Sequence, residues 1–260
     1  MEETQMSKCR WVIAHFSPTG TTLKVARAIA EGSGCPVREI DLSVPVSSET
    51  LSADEVLLAA VPVYGGRVPA LALERLGELK GSGQKAVAVV VYGNRAFDNA
   101  LLELKDALEV NGTQVIAAGA FVAEHSMARS IAAGRPDAHD LETANQLGVR
   151  AMQKLAEEEP ATVQVPGNPG YREKAARGLP GHPAGGKDCV SCGLCAQKCP
   201  AGAIDPNAPA KTDGKKCLCC MRCVSICPQK ARKLPVPMSL AVEGMLKVAA
   251  STPKQPELYL

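Results

Sequence analysis

Trp11-Val-Ile-Ala-His-Phe16, running straight into Ser17-Pro-Thr-Gly-Thr-Thr22, decides how the first half of this chain is read. The first six residues make a β run. The turn after it is rich in hydroxyls and opens onto Leu23 to Glu31. There Leu23, Ala26 and Ala30 share a helical face, and Gly32 and Gly34 close the helix. Strand, hydroxyl turn and helix form one βα unit.

The alternation continues outward from that unit. Val37 to Leu42 reads as a short strand. Glu55 to Val61 is nearly all apolar, as a strand buried on both faces should be. Pro69 to Leu79 is expected to be helical, Lys85 to Tyr92 is the strongest strand signal, and Asp98 to Val110 is a helix with Asp98 as N-cap. Thr113 to Val122 gives a fifth strand and Pro136 to Glu158 a long helix. Five such units predict an α/β domain over residues 1–160, with a doubly wound parallel sheet covered by helices on both sides.

A sheet of this kind binds ligands beyond the C-terminal ends of its strands, where the strand order reverses. Four loops lie there: Ser17–Thr22, Pro62–Pro69, Gly93–Phe97 and Ala123–Arg135. A hydroxyl-rich turn at a helix start can hold a terminal phosphate through O–H and N–H groups and the helix dipole. There is no G-x-x-x-x-G-K-S/T and no G-x-G-x-x-G after the first strand, which argues against a P-loop nucleotidase and a dinucleotide site. A capped turn without ligand is the bland alternative.

The second half turns on cysteine. Cys189, Cys192, Cys195 and Cys199, then Pro200, repeat as Cys217, Cys220, Cys223 and Cys227, then Pro228. Both copies read C-x2-C-x2-C-x3-C-P, the spacing that wraps a [4Fe–4S] cubane. Structural zinc sites more often take two C-x2-C pairs separated by a longer loop. Cys219 falls out of register and reads as a bystander thiol. Cys9 and Cys35 read as ordinary small residues.

The bulk numbers agree. The chain has 260 residues, 46% of them hydrophobic and only 3% aromatic. Met1 to Arg10 is polar and charged, and the apolar run at Trp11 is too short for a signal or a membrane span. A reduced, cytoplasmic protein without membrane insertion is expected. The net charge is +2, yet residues 187–233 carry nine Lys or Arg against three Asp. Two clusters of charge about −2 each would offset most of that surplus. No aromatic stacking residue lies in that segment, so nucleic acid is not the expected partner.

The turn Ser17, Thr19, Gly20, Thr21, Thr22 resembles the flavodoxin phosphate loop. The cysteine run resembles the bacterial two-cluster ferredoxins. Together they resemble a family of flavodoxin–ferredoxin fusion proteins, the first likeness covering about Cys9 to Glu159 and the second Lys187 to Lys233.

The resemblance implies strand order 2-1-3-4-5, non-covalently bound FMN, and an α+β ferredoxin domain over 187–235 with two [4Fe–4S] clusters. It also implies electron transfer in anaerobic metabolism. The fourth cysteine of each run crosses over in that family. Cys189, Cys192, Cys195 and Cys227 would then hold one cluster, and Cys217, Cys220, Cys223 and Cys199 the other.

Read against that family, Pro62, Tyr64, Gly65, Gly66 and Arg67 would face the flavin ring, with Tyr64 stacking and the glycines permitting positive φ. Tyr92, Gly93, Asn94, Arg95 and Phe97 would line the second ring loop, Asn94 reaching the pyrimidine edge. Arg67 and Arg95 depart from the acidic surroundings of a flavodoxin ring and would ease two-electron reduction. His125 is the candidate proton donor. Met127–Arg135 would be a mobile lid hinged at Gly134, and His15 a satisfied core residue.

Pro160–Gly186, with five prolines, reads as a semi-stiff linker in which Tyr171–Arg177 forms a short docking helix. In the tail over 236–260, Ser239–Ala250 reads as an amphipathic helix packed on the protein. The expected function is an internal electron relay between the clusters and FMN, serving other redox proteins. A homodimer is compatible with the sequence. One alternative is a ferredoxin-fed FMN reductase acting on a small organic acceptor, with His125 or Tyr64 as proton donor. Another is a flavin-free docking domain on a ferredoxin.

Overall fold

β1 (Arg10–His15) is the pivot of the first domain. The computed structural model describes residues 9–173 and 181–260. α1 (Thr21–Ser33), β2 (Val37–Asp41), β3 (Glu49–Thr50), β4 (Glu55–Pro62), α2 (Ala70–Leu76) and β5 (Leu79–Lys80) follow β1. Then come β6 (Lys85–Tyr92), α3 (Ala100–Val110), β7 (Gln114–Val122) and α4 (Ala138–Leu155). β1 pairs in parallel with β2 on one side and β4 on the other, and β6 and β7 extend the sheet beyond β4. The order is therefore β2-β1-β4-β6-β7, the flavodoxin-like 2-1-3-4-5 arrangement, and it reverses between β1 and β4.

Side chains alternate across this sheet and are apolar on both faces. Val12, Ala14, Leu57, Ala59 and Val90 face a core that includes Leu76 and Leu101 from α2 and α3. Trp11, Ile13, Leu58, Ala60 and Val89 face one that includes Val25, Ile29 and Leu147 from α1 and α4. Burial on both sides explains why these strands carry unbroken apolar runs. α1 and α4 cross with almost no space between them. A Cβ at Gly148 would meet the Ile29 carbonyl oxygen at 1.9 Å, and one at Gly32 the Asn145 oxygen at 2.0 Å.

Four local expectations change. The helix from Pro69 stops at Leu76, where Gly77 N–H donates to the Leu73 carbonyl at 2.9 Å, and Leu79–Lys80 instead pairs in parallel with β3. Asp98 is not the cap of α3: it sits at φ 46°, and Asn99 occupies the cap position. The Asn99 Oδ1 accepts from Asn168 N at 2.8 Å, so it holds the following segment instead of the helix. That segment is docked: Val163 is buried and its N–H donates to Val115 O at 2.9 Å. A 3-10 helix covers Pro169–Glu173, and the rest of the helix expected to Arg177 lies outside the described residues.

The second domain holds β8 (Ala184–Gly185), α5 (Leu194–Gln197), α6 (Arg222–Ser225) and β9 (Arg232–Lys233), with β8 and β9 antiparallel. α7 (Val236–Ala249) then returns to the first domain, where Leu246 and Ala250 pack on Ala128 and Ile131. β10 (Glu257–Tyr259) adds an antiparallel sixth strand beside β7. Among the described residues no helix is long and apolar enough to cross a membrane.

Candidate functional site

The turn Ser17–Thr22 lies at the C-terminal end of β1, beside the strand-order reversal. Gly20 occupies the N-cap of α1 at φ 92°, and no side chain caps that helix start. Ser17 Oγ accepts from Leu23 N at 2.9 Å. Thr21 and Thr22 N–H have no acceptor among the described residues. Thr19 and Gly20 are exposed, Ser17 and Thr21 half-buried and Thr22 buried. Free N–H groups, exposed hydroxyls and a helix start together fit a phosphate.

Pro62 ends β4, and Tyr64 to Arg67 makes a tight reversal. Tyr64 N–H donates to Arg67 O at 2.9 Å and Arg67 N–H to Tyr64 O at 3.2 Å. Gly65 and Gly66 between them have φ of 60° and 80°, as a type I′ turn requires. Tyr64 is half-buried against the first core. Burial pushes its phenol well above the ordinary value, and the neighbouring Cys220 and Cys219 thiols push the same way. Tyr92 is buried, its hydroxyl lacks a partner, and burial raises it to about 12. Its ring meets Phe97 edge-on at 5.5 Å, next to Gly93.

Three side chains do something other than the sequence suggested. Arg67 Nε donates to Glu103 Oε2 at 2.8 Å, and its guanidinium lies 4.9 Å from the Tyr171 ring centroid. Arg95 pairs with Asp98. Each cation expected beside a ring thus has a carboxylate of its own, so the charge argument for easier two-electron reduction does not carry. Asn94, at φ 63°, gives its amide to Ala250 O at 2.8 Å and Thr252 O at 3.1 Å, and its oxygen accepts from Lys254 N at 2.9 Å. The C-terminal segment therefore takes the groups expected at a pyrimidine edge.

His125 closes on this loop: a Cβ at Gly93 would meet its Cδ2 at 2.4 Å. Its Nδ1 accepts from Met127 N at 3.3 Å, which leaves the proton to Nε2 in the neutral ring. Burial, then Arg95, lowers its pKa. The segment after it is pinned, not a free lid. His125 N donates to Ile131 O, Glu124 N donates to Arg135 O, and Ser130 bonds Glu243 of α7. His15 is buried as expected, yet its Nδ1 has no hydrogen-bond partner and lies 4.0 Å from Asp41.

The eight repeated cysteines separate into two groups around two cavities. One cavity is lined by Cys199, Cys217, Cys220 and Cys223, with Leu218, Cys219 and Met221. The other is lined by Cys189, Cys192, Cys195 and Cys227. The fourth cysteine of each copy has crossed to the other set. The backbone repeats as well. Ser191 and Gly193 have φ of 53° and 74°, and Cys219 and Met221 of 52° and 62°. These left-handed residues turn the chain around each cavity and aim amides inward, as Cys219 N toward Cys217 Sγ at 3.4 Å. Three cysteines at two-residue gaps followed by a fourth and proline, brought together in each cavity with the partner copy's fourth thiol, suit a polynuclear cluster better than zinc. The bystander Cys219 is buried and donates its thiol to Gly181 O at 3.1 Å.

Sequence reasoning missed Arg232. It is 1% exposed. Its Nη1 approaches Cys195 Sγ at 3.7 Å and its Nη2 donates to Pro183 O at 2.9 Å. Its charge also reaches Cys217 and Cys223 of the other set. A fully buried arginine between the two thiol sets is a cue that only the fold reveals.

A family model described as "4Fe-4S dicluster domain" matches residues 172–232. No curated protein matches the chain. Among solved structures, a flavodoxin from the domain Archaea is 16% identical with a TM-score of 0.42, covering 57% of this chain and 99% of its own. Oxidised Flavodoxin 1 from Bacillus cereus is 16% identical with a TM-score of 0.43, covering 55% and 97%. A WrbA-like flavodoxin from Agrobacterium tumefaciens is 18% identical with a TM-score of 0.39, covering 56% and 96%. Identities this low speak to fold at most, and the strand order already defines it.

The first half of the chain thus has a flavodoxin-like strand order, and residues 172–232 match a 4Fe-4S dicluster domain. The dicluster match indicates iron–sulfur as a cofactor class, and the pairing of the two halves is the one the sequence resemblance led us to expect.

Proposed function

We propose that this chain is an electron-transfer protein that relays electrons between two [4Fe–4S] clusters and one FMN, in the anaerobic setting its family resemblance implies. The observation that carries the reading is the sorting of the eight repeated thiols, four to each of two cavities. The uncapped, hydroxyl-lined start of α1 at the reversal of strand order supports the flavin.

When bound, the clusters supply one-electron steps and the flavin one- or two-electron steps. The chain's own residues bind and orient. Ser17, Thr19, Thr21 and Thr22 with the first-turn N–H groups would hold the phosphate. Tyr64, Tyr92 and Phe97 would wall the ring, and Gly93 would let His125 approach it. The buried Arg232 offsets thiolate charge, while Arg67–Glu103 and Asn94–Ala250 hold the two ring loops in place.

The cluster domain lies over Tyr64 and the tail is tied to Asn94, so both loops are covered from within the chain. Covered loops favour exchange with redox proteins over an open reductase acting on small acceptors.

Anaerobic purification followed by iron, sulfide and flavin quantitation tests the reading. Two full [4Fe–4S] complements and one FMN per chain are expected. A colourless chain, or one carrying zinc in the cysteine sites, overturns it.

A further inference from the structure

The two cysteine cavities are not equivalent in their surroundings. The set formed by Cys199, Cys217, Cys220 and Cys223 abuts the first domain at two places. Leu218, which lines that cavity, packs against the core that contains Phe16, Val61 and Val68. Arg75 of α2 ties the two domains together: Nη1 donates to Leu42 O and Nη2 to Pro200 O, each at 2.8 Å. Pro200 directly follows Cys199 and also lines the cavity. Tyr64, in the ring loop just beyond β4, packs against the same core as Leu218.

The other set faces outward. Cys192 and Ser191 are exposed, Val190 is 63% exposed, and Lys187, Gln229 and Lys230 surround them in solvent. None of the lining residues of that cavity packs against the cores of the first domain.

Electron tunnelling falls off exponentially with distance, so the order of centres in space sets the order of transfer. We infer that the cluster held by Cys199, Cys217, Cys220 and Cys223 is the inner one, exchanging electrons with the flavin past Tyr64. The cluster held by Cys189, Cys192, Cys195 and Cys227 is the outer port, where an external one-electron carrier protein docks. Each passage oxidises that carrier by one electron and leaves the chain reduced by one. Two passages, with protons from solvent, complete the reduction of the flavin. The inference rests on the cofactor content proposed above.

The phosphorus longitudinal relaxation rate of bound FMN, measured with all centres fully reduced, tests it. A reduced cluster is paramagnetic, and its effect on a nucleus falls with the sixth power of distance. The rate should drop several-fold in Cys220→Ala and hardly change in Cys192→Ala. An equal or larger drop in Cys192→Ala overturns the assignment.

Either cysteine variant could lose both clusters, so Leu218→Glu, checked by iron content to keep both, serves as the second arm. Loosening the domain contact should lower the rate, and an unchanged rate overturns the inference. Absence of FMN from every preparation instead overturns the cofactor reading itself. Flavin present with relaxation indifferent to Cys220 overturns only the route.

Discussion

The side-chain amide of Asn94 donates to the backbone carbonyl of Ala250 at 2.8 Å, across 156 residues of chain. Asn94 is 4% exposed, and the bond is backed by Thr252 O and Lys254 N. One residue of a ring loop thus locks the C-terminal segment over that loop. Asn94→Ala would strip the buried Ala250 carbonyl of its donor, at about 1–3 kcal/mol. The expected result is a lower urea midpoint and faster proteolysis between α7 and β10. Undiminished resistance to protease would show that β10 pairing alone holds the tail.

Glu103 is nearly as buried, its side chain 7% exposed, and it accepts from both Arg67 and Val68 N. Removing one partner of a buried pair leaves the other charge stranded. Glu103→Leu is expected to cost about 3–5 kcal/mol in chemical unfolding. The double variant Glu103→Leu with Arg67→Met should recover much of that loss. If it recovers nothing, the pair is not the unit that matters.

How much of this could be read in advance differs by element. β6 was legible to the residue because Ala86 to Tyr92, following Lys85, is an unbroken apolar run buried on both faces. The cysteine sets were legible because metal spacing is a local property of sequence. The end of α2 was not, because Leu79 fits a helical stripe as well as it fits a strand, and only pairing of Leu79 with Glu49 decides between them. Arg67 looked like a free cation because Glu103 reaches it only by tertiary approach, whereas the partner of Arg95, Asp98, lies three residues along and owes its place to the loop's left-handed turn. The return of the tail to Asn94 depends on contacts too distant in sequence for any periodicity to signal.

Close approach of α1 and α4 makes Gly148 a stability determinant. Its missing Cβ leaves room for the Ile29 carbonyl, which an alanine would meet at 1.9 Å. Backbone cannot step aside as a flexible side chain can. Gly148→Ala should therefore destabilise by about 1–3 kcal/mol, although alanine is the better helix former by about 1 kcal/mol. A gain in melting temperature would mean the helices separate at little cost.

His15 gives the fold an acid-side weakness. Burial lowers its pKa from the ordinary 6.5, outweighing the opposing pull of Asp41 and Glu39. A histidine depressed in the folded state takes up a proton more readily when unfolded. Stability is therefore fully present above the unfolded value and declines as pH falls below it toward the folded one. The His15 ring, 5% exposed and with no hydrogen-bond partner at Nδ1, is held mainly by burial, and Asp41 at 4.0 Å only partly offsets that cost of charging it. His125, lowered by burial and Arg95, acts in the same direction.

Unfolding free energy measured from pH 7.5 down to 5 should fall in the wild type. The fall should be shallower in His15→Gln, and the difference between the two proteins cancels any acid lability they share at the cysteine sites. Equal slopes in both would remove His15 from the account and leave the acid sensitivity to other groups.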